Sequence, residues 1–407
     1  MTSLDDAKRA AGPAPTAARA TFGDRTLFPA FADGAFFNHA AISVPSSAVR
    51  EQVSAFLEDY THGGVRGFKA WLPQKARFKE KLAAFVGAHA TDLAFVNNTT
   101  TGISNIALSY PWKAGDRILL FRGDFPANVT PWQQAARAFG AEIVWSDVDA
   151  FHESYDAGMA AFRVALKQHR PRLVATSFVR FQTGLRLPVH AMAHACHAAD
   201  AEIFVDGIQG IGAVPFEVGE LDYVAWGGHK WMMGLEGLGY LYVSPKRMAA
   251  LIPRVAGWLS HESALDFLFL GEGHLKHDLP IRKEASAFEL GASAGICAAG
   301  SEAALDLIQQ LDAHALFDHL QSINDALEAA ALTAGLTSER HADPRLRSGS
   351  LCLRTSAAPV ADIAAAFDAE GIRITTPDGR LRLSPHWWTS HADVERVLAS
   401  KAWRELS

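Results

Sequence analysis

Short apolar runs alternate with amphipathic stretches along most of this chain, and that alternation limits its fold more than any other feature. LAFVNN, RILLF, AEIVWSDV, RLVATSFV, EIFVDG, DYVAWGG and GLGYLYVS have strand length and end in turn residues. Between them, FKAWLPQKARFKEKLAAFVGA, TTTGISNIALSY, VTPWQQAARAFG, Tyr155–Gln168 and VHAMAHACHAAD read as helices, the first despite its proline. Strands separated by helices cannot pair as hairpins, so the pattern predicts an α/β fold with a mostly parallel, helix-covered sheet. The two strands flanking AWGGHKWMMGLEG are close enough in sequence to add an antiparallel edge.

The pattern changes after about residue 260. A long helical run, SAGICAAGSEAALDLIQQL, leads to SGSLCLRTS, a helix near DIAAAFDAEG, the strands IRITT and RLRLS, and a closing amphipathic helix, HADVERVLASKAWREL. These suit a smaller α+β lobe. The expected organisation is a loose tail over 1–25, a segment over 26–60 packing on the small lobe, a large domain over 61–285, and the small domain over 286–407.

At 407 residues the chain is long enough for two lobes, and 49% hydrophobic with 20% charged residues is ordinary globular composition. A net charge of −6 argues against nucleic acid or an acidic membrane surface as the main partner. Three cysteines without a CxxC suit a reducing compartment, and no run approaches the ~20 apolar residues of a membrane span. The N-terminal MTSLDDAKRAAGPAPTAARATFGD lacks the apolar core of a secretory signal. A cytoplasmic location is the expectation.

One lysine sits in an unusual setting. AWGGHKWMMG places Lys230 among glycines, tryptophans and methionines, where water is scarce. Burial disfavours the ammonium form and turns a lysine into an amine nucleophile near neutral pH. Asp206 ends the apolar strand EIFVDG, and Lys230 follows the strand DYVAWGG. In parallel α/β sheets ligands bind outside the carboxyl ends of strands, so both side chains can reach one crevice. A lysine amine facing an aspartate across a small ligand is what pyridoxal phosphate requires: an amine for its aldehyde and a carboxylate for its pyridinium nitrogen. Taken alone, a strand-end Asp is usually a cap and a GHK usually a loop.

The stretch VDGIQGIGAVPFEVGELDYVAWGGHKWMMGLEGLGYLYV, together with FFNHAAISVPS, FVNNTTTGIS and RLRLSPHWW, resembles class V aminotransferase-like, fold type I pyridoxal-phosphate enzymes. It is closest to the branch that holds cysteine desulfurases, isopenicillin N epimerase-like proteins and kynureninases. The resemblance implies pyridoxal 5′-phosphate as cofactor, with Lys230 as Schiff-base lysine and proton shuttle, and Asp206 as pyridinium partner. It implies Gln209 on the cofactor's phenolic oxygen and His229 on its phosphate. Thr99, Thr100 and Thr101 would cradle that phosphate at a helix N-terminus, which suits an anion. Phe125 would stack on the pyridine ring where many desulfurases have a histidine; it cannot exchange a proton. Arg382 would grip the carboxylate of an amino-acid substrate with its bidentate fork. Trp387 and Trp388 would form an aromatic wall or pack in the core. A homodimer is implied, with a phosphate contact from the neighbouring chain at Ala292 or Ser293.

Other features are set aside. His190, His194, Cys196 and His197 resemble a metal cluster on one helix face, but zinc needs ligands converging from elsewhere. No metal is expected. GIQGIG and GGHK lack the register of nucleotide-binding loops. GIRITTPDGRLRLS carries no cysteine before the carboxylate arginine, so a persulfide-forming desulfurase is not expected. The leading expectation is an aminotransferase, because transamination needs no group beyond Lys230. The alternatives are an epimerase, a β-elimination or C–S lyase, or, from a different class, a non-catalytic cofactor- or ligand-binding module.

Overall fold

The computed structural model describes residues 18–406. Its centre is a seven-stranded sheet in the order β2-β8-β7-β6-β5-β3-β4. The strands are β2 (Leu93–Val96), β3 (Arg117–Phe121), β4 (Glu142–Ser146), β5 (Leu173–Ser177), β6 (Glu202–Asp206), β7 (Tyr223–Gly227) and β8 (Gly239–Val243). All pairs are parallel except the two that β8 makes with β2 and β7. The reversed strand is therefore one place in from the edge, which β2 occupies, and not the edge itself as its hairpin position suggested.

Both faces of the sheet are covered, so its strands are apolar on both sides. Along β6, Ile203 and Val205 face one core while Phe204 faces the other. In β8, Tyr240 and Tyr242 alternate with Leu241 and Val243 in the same way. Helices α1 (Ser47–Gly63), α2 (Val65–Phe85) and α3 (Thr99–Ser109) belong to this body. Pro73 lies inside α2 without ending it. Gly239 is required where α3 begins: a Cβ there would lie 2.6 Å from the Asn98 backbone.

The second lobe has its own sheet and core. β9 (Thr337–Ser338), β10 (Leu351–Arg354) and β12 (Leu381–Leu383) form an antiparallel sheet in the order β12-β10-β9. β1 (Ala35–Phe36) pairs in parallel with β11 (Ile372–Arg373), so the N-terminal segment joins the C-terminal strands. Its core gathers Phe37, Ile323, Leu327, Leu353, Phe367 and Trp403. The sequence reading passed over Ala313–Thr333, a full helix of this lobe capped by Asp312. The closing helix is broken at Ser400, whose hydroxyl caps a new turn by accepting the Trp403 N–H at 3.1 Å. The helix Gly295–Ile308, beyond the expected boundary at 285, contributes Ala298 and Leu305 to the first core.

Most of the expected tail over 1–25 lies outside the described residues. The part described is held: Ala20 N–H donates to the Gln310 side chain at 3.0 Å and Gly23 N–H to the Trp387 carbonyl at 2.8 Å. No described helix is long and apolar enough to cross a membrane.

Two imidazoles lie where the lobes meet. His39 and His386 are fully buried, with ring centroids 5.0 Å apart. Burial pushes His386 down from 6.5 to about 4, and burial plus His386 pushes His39 well below its ordinary value. Both stay neutral in the fold and gain protons in the unfolded chain below pH 6.5, so stability holds above that pH and falls as pH drops toward 4. His386 alone contributes about 3 kcal/mol to that loss. Urea midpoints measured from pH 7 to 4.5 will fall steeply, and a His386→Gln protein will show a shallower slope.

Candidate active site

The in-register pairs Ser177–Asp206 and Asp206–Ala225 set the ends of β5 and β6 level with the middle of β7. Asp206 closes β6 with its carboxylate 2% exposed, and its Oδ1 accepts the Ile208 N–H at 3.0 Å. Beyond β7 the chain makes a tight loop, closed by Gly228 N–H to Leu238 O at 3.1 Å and Gly234 N–H to Gly228 O at 2.8 Å. Lys230 rides on that loop. A narrow cleft is lined by Phe125, Ser177, Val179, Phe181, Asp206, Ile208, Gln209 and Lys230. Two titratable groups line it, Asp206 and Lys230.

Electrostatics couple that pair. Burial raises the Asp206 pKa most, the Ile208 amide opposes this, Asp124 adds to it and Lys230 opposes it. Burial lowers the Lys230 pKa, with Asp206 opposing and Arg382 adding. The site therefore holds its amine well below the ordinary lysine value and its carboxyl well above the ordinary aspartate value.

The other expected residues fall into three places. Phe125, 44% exposed, sets its ring centroid 5.7 Å from Lys230 Nζ and meets Phe181 edge-on at 5.2 Å. Gln209 is buried; its Nε2 donates to Ala40 O at 3.1 Å, its Oε1 accepts from Trp231 Nε1 at 3.3 Å, and one amide hydrogen is left over. Arg382, on β12, is buried and donates to Phe181 O at 3.0 Å and to Thr375 Oγ1 at 3.3 Å. His229 lines a neighbouring, more open cleft with Asn97, Asn98, Glu236, Gly237, Ala292, Ser293 and Ala294. Burial and Lys230 lower its pKa while Glu236 raises it. Thr99, Thr100 and Thr101 start α3, where Asn98 caps by accepting the Thr101 N–H at 2.8 Å and its hydroxyl at 3.1 Å. Thr99 Oγ1 is buried without a hydrogen-bond partner.

Trp387 and Trp388 are 1% and 0% exposed, and Trp388 stacks on Phe28 at 4.3 Å. They are core, away from the lining of the Lys230 cleft. His194 and His197 pair with Glu220 at 3.2 Å and Asp222 at 3.0 Å, and the described residues contain no metal-holding cluster. Cys196, Cys297 and Cys352 are all free and buried, and none lines the Lys230 cleft.

Sequence reading missed a buried polar knot beside the cleft. Asp124, just past β3, accepts from Ser177 Oγ at 2.5 Å and lies 3.3 Å from the guanidinium of Arg180, itself 3% exposed. The signal was present: an acid shortly after an apolar strand, as for Asp206.

The sequence matches the family Aminotransferase class-V over residues 35–387. The chain belongs to that family. A cysteine desulfurase of Pectobacterium atrosepticum is 29% identical over 83% of this chain and 81% of its own length. A Bacillus subtilis protein described as an uncharacterized aminotransferase is 24% identical over 88% and 91%. Among solved structures, the cystine C–S lyase C-DES in complex with its product cysteine persulfide superposes with TM-score 0.83 at 22% identity, covering 93% of this chain and 99% of its own. A C-DES mutant with glycine covalently linked to the PLP cofactor gives 0.84 at 23%, covering 94% and 99%. The fold is thus that of fold type I pyridoxal-phosphate enzymes.

Pyridoxal 5′-phosphate is the cofactor that goes with this class V family, and the donor set fits it. The cleft offers an amine, a buried carboxyl and a spare amide hydrogen, and the start of α3 adds an unpartnered buried hydroxyl. Lys230 and Asp206 would hold its two reactive ends, Gln209 its phenolic oxygen, Thr99–Thr101 and His229 its phosphate. An amine-specific reagent on unloaded protein will modify Lys230 with a pH midpoint well below 10.5. Asp206→Asn will move the midpoint lower and Arg382→Met higher. A midpoint like that of surface lysines contradicts this electrostatic picture.

Proposed function

We propose that this family member acts on the amino group of an α-amino acid through pyridoxal phosphate, and that its reaction is β-elimination at a carbon–sulfur bond. The observation that carries the reading is the inventory of the cleft: Lys230 and Asp206 are its titratable lining groups, and no thiol is present. Desulfurase relatives bear names that denote C–S cleavage. A chain without a thiol at the site has an elimination route to the same bond, and C-DES is described as a lyase.

The bound cofactor would supply an electron sink for the Cα–H bond pair. Arg382 would orient the substrate carboxylate with its fork. Lys230 would take the α-proton at Nζ, its lowered pKa making it a base near neutral pH. The electron pair at Cα would form the Cα–Cβ double bond as the Cβ–S bond breaks, and sulfur would leave as a thiolate or persulfide anion that needs no acid. The released enamine hydrolyses to a 2-oxo acid and ammonia. Asp206, fixed by the Ile208 amide, would hold the ring-nitrogen proton. Two-base epimerisation needs a second proton carrier facing Lys230, and the aromatic there is Phe125.

Transamination is the second reading, favoured by the Bacillus subtilis relative and by its need for no group beyond Lys230. A homodimer is part of the proposal, and size exclusion with light scattering checks it. Incubation of loaded protein with L-cysteine, L-cystine and S-alkyl cysteines, without an added oxo acid, will yield pyruvate, ammonia and, respectively, sulfide, cysteine persulfide and the alkanethiol, in equal amounts. Loss of visible absorbance restored only by a 2-oxo acid replaces this reading with transamination. Lys230→Ala will lower turnover at least ~1000-fold, the scale on which removing a base or nucleophile acts.

A further inference from the structure

The loop that carries Lys230 is pinned from outside its own domain. Three successive carbonyls are each taken by a donor from the terminal segments. Ser43 N–H donates to His229 O at 2.8 Å, Ser43 Oγ donates to Lys230 O at 2.5 Å, and His386 Nε2 donates to Trp231 O at 2.9 Å. Behind Ser43 stands His39, fully buried, with Nδ1 2.7 Å from Ser43 Oγ.

Counting hydrogens fixes the arrangement. A serine hydroxyl has one hydrogen, and here it goes to Lys230 O, so its bond with His39 must be donated by Nδ1–H. His39 Nε2 is then a bare acceptor, and it is buried without a partner. His386 Nδ1 accepts the Trp387 N–H at 2.9 Å, so its hydrogen is on Nε2, aimed at Trp231 O. His386 must be neutral for this pattern, and burial disfavours the charged form of both rings. The orphaned Nε2 costs free energy that the Nδ1 bond alone does not return. The fold retains the imidazole where an apolar side chain would pack without an unpaired acceptor.

We propose that His39 and Ser43 are positioning residues for the reactive lysine, a relay from the small-lobe segment that orients the Lys230 peptide and hence its amine. The inference rests on the reading of Lys230 as the cofactor-binding amine. Without the Ser43 hydroxyl, Lys230 O keeps only the local Met233 N–H at 2.9 Å, and the loop loses its tie to the N-terminal segment at that carbonyl. Misplacing a reacting group by ~1 Å costs about 100-fold in rate, so small rotations of this peptide matter.

The test compares Ser43→Ala, His39→Leu and His39→Asn with wild type. Asparagine restores an N–H donor where imidazole Nδ1 stood. Three readouts are the rate at which unloaded protein takes up pyridoxal phosphate by visible absorbance, amine-reagent labelling of Lys230, and kcat against KM on the best amino acid of the panel. Ser43→Ala and His39→Leu will take up the cofactor and turn over ~10- to 100-fold more slowly, with KM within ~2-fold, and His39→Asn will recover to within ~3-fold of wild type. Wild-type uptake, labelling and kcat in Ser43→Ala and His39→Leu overturn the proposal, even if thermal stability falls. Should His39→Leu not fold, Ser43→Ala against His39→Asn decides by the same criteria. Wild-type protein that takes up no pyridoxal phosphate overturns the proposed function instead, and Lys230 labelling then decides the relay: unchanged rates in Ser43→Ala refute it.

Discussion

Everything at this site follows from burying one carboxylate and one amine at the same end of a parallel sheet. Burial moves both groups away from their ordinary pKa values, and each opposes the other's shift. A lone buried charge of either kind would be strongly unfavourable, so each group is tolerable because the other is present. Under the proposed function, the same pair would meet the aldehyde and the ring nitrogen of the cofactor. The apolar layers on both faces of the sheet make this possible by fixing the strands that aim the two side chains.

The site is not built by the sheet alone. β1 returns the N-terminal segment to β11, which sets Ala40 against Gln209 and Ser43 against the lysine loop. β12 brings Arg382 to the Phe181 carbonyl, at the edge of the same cleft. The small lobe thus supplies contacts to the Lys230 cleft and, under the proposed function, the guanidinium that would hold the substrate carboxylate.

Much of the architecture was legible in the sequence because period and length carry it. Runs such as EIFVD and YVAWG are short, apolar and turn-bounded, and they are β6 and β7. Lys230 and Asp206 were legible for a local reason, an ionisable residue at the edge of an apolar run. What was not legible depends on partners distant in sequence. The strand order that buries β8 one place from the edge is set by pairing with β2, nearly 150 residues earlier. Whether Trp387 and Trp388 face ligand or core depends on Phe28, which no local pattern connects to them. No local pattern connects Arg180 to Asp124, the carboxylate it lies beside. The helix over Ala313–Thr333 was legible too but overlooked: Leu316, Leu320, Ile323, Leu327 and Ala331 recur at helical spacing, and Asp312 caps its start.

The claim on which the account depends is that Lys230 is the amine that captures pyridoxal phosphate. Loading the purified protein, reducing it with borohydride and mapping the peptides by mass spectrometry tests it directly. A single pyridoxyl adduct is expected on the peptide containing Lys230, formed in wild type and absent from Lys230→Ala. An adduct spread over other lysines, or one that survives unchanged in Lys230→Ala, would contradict it.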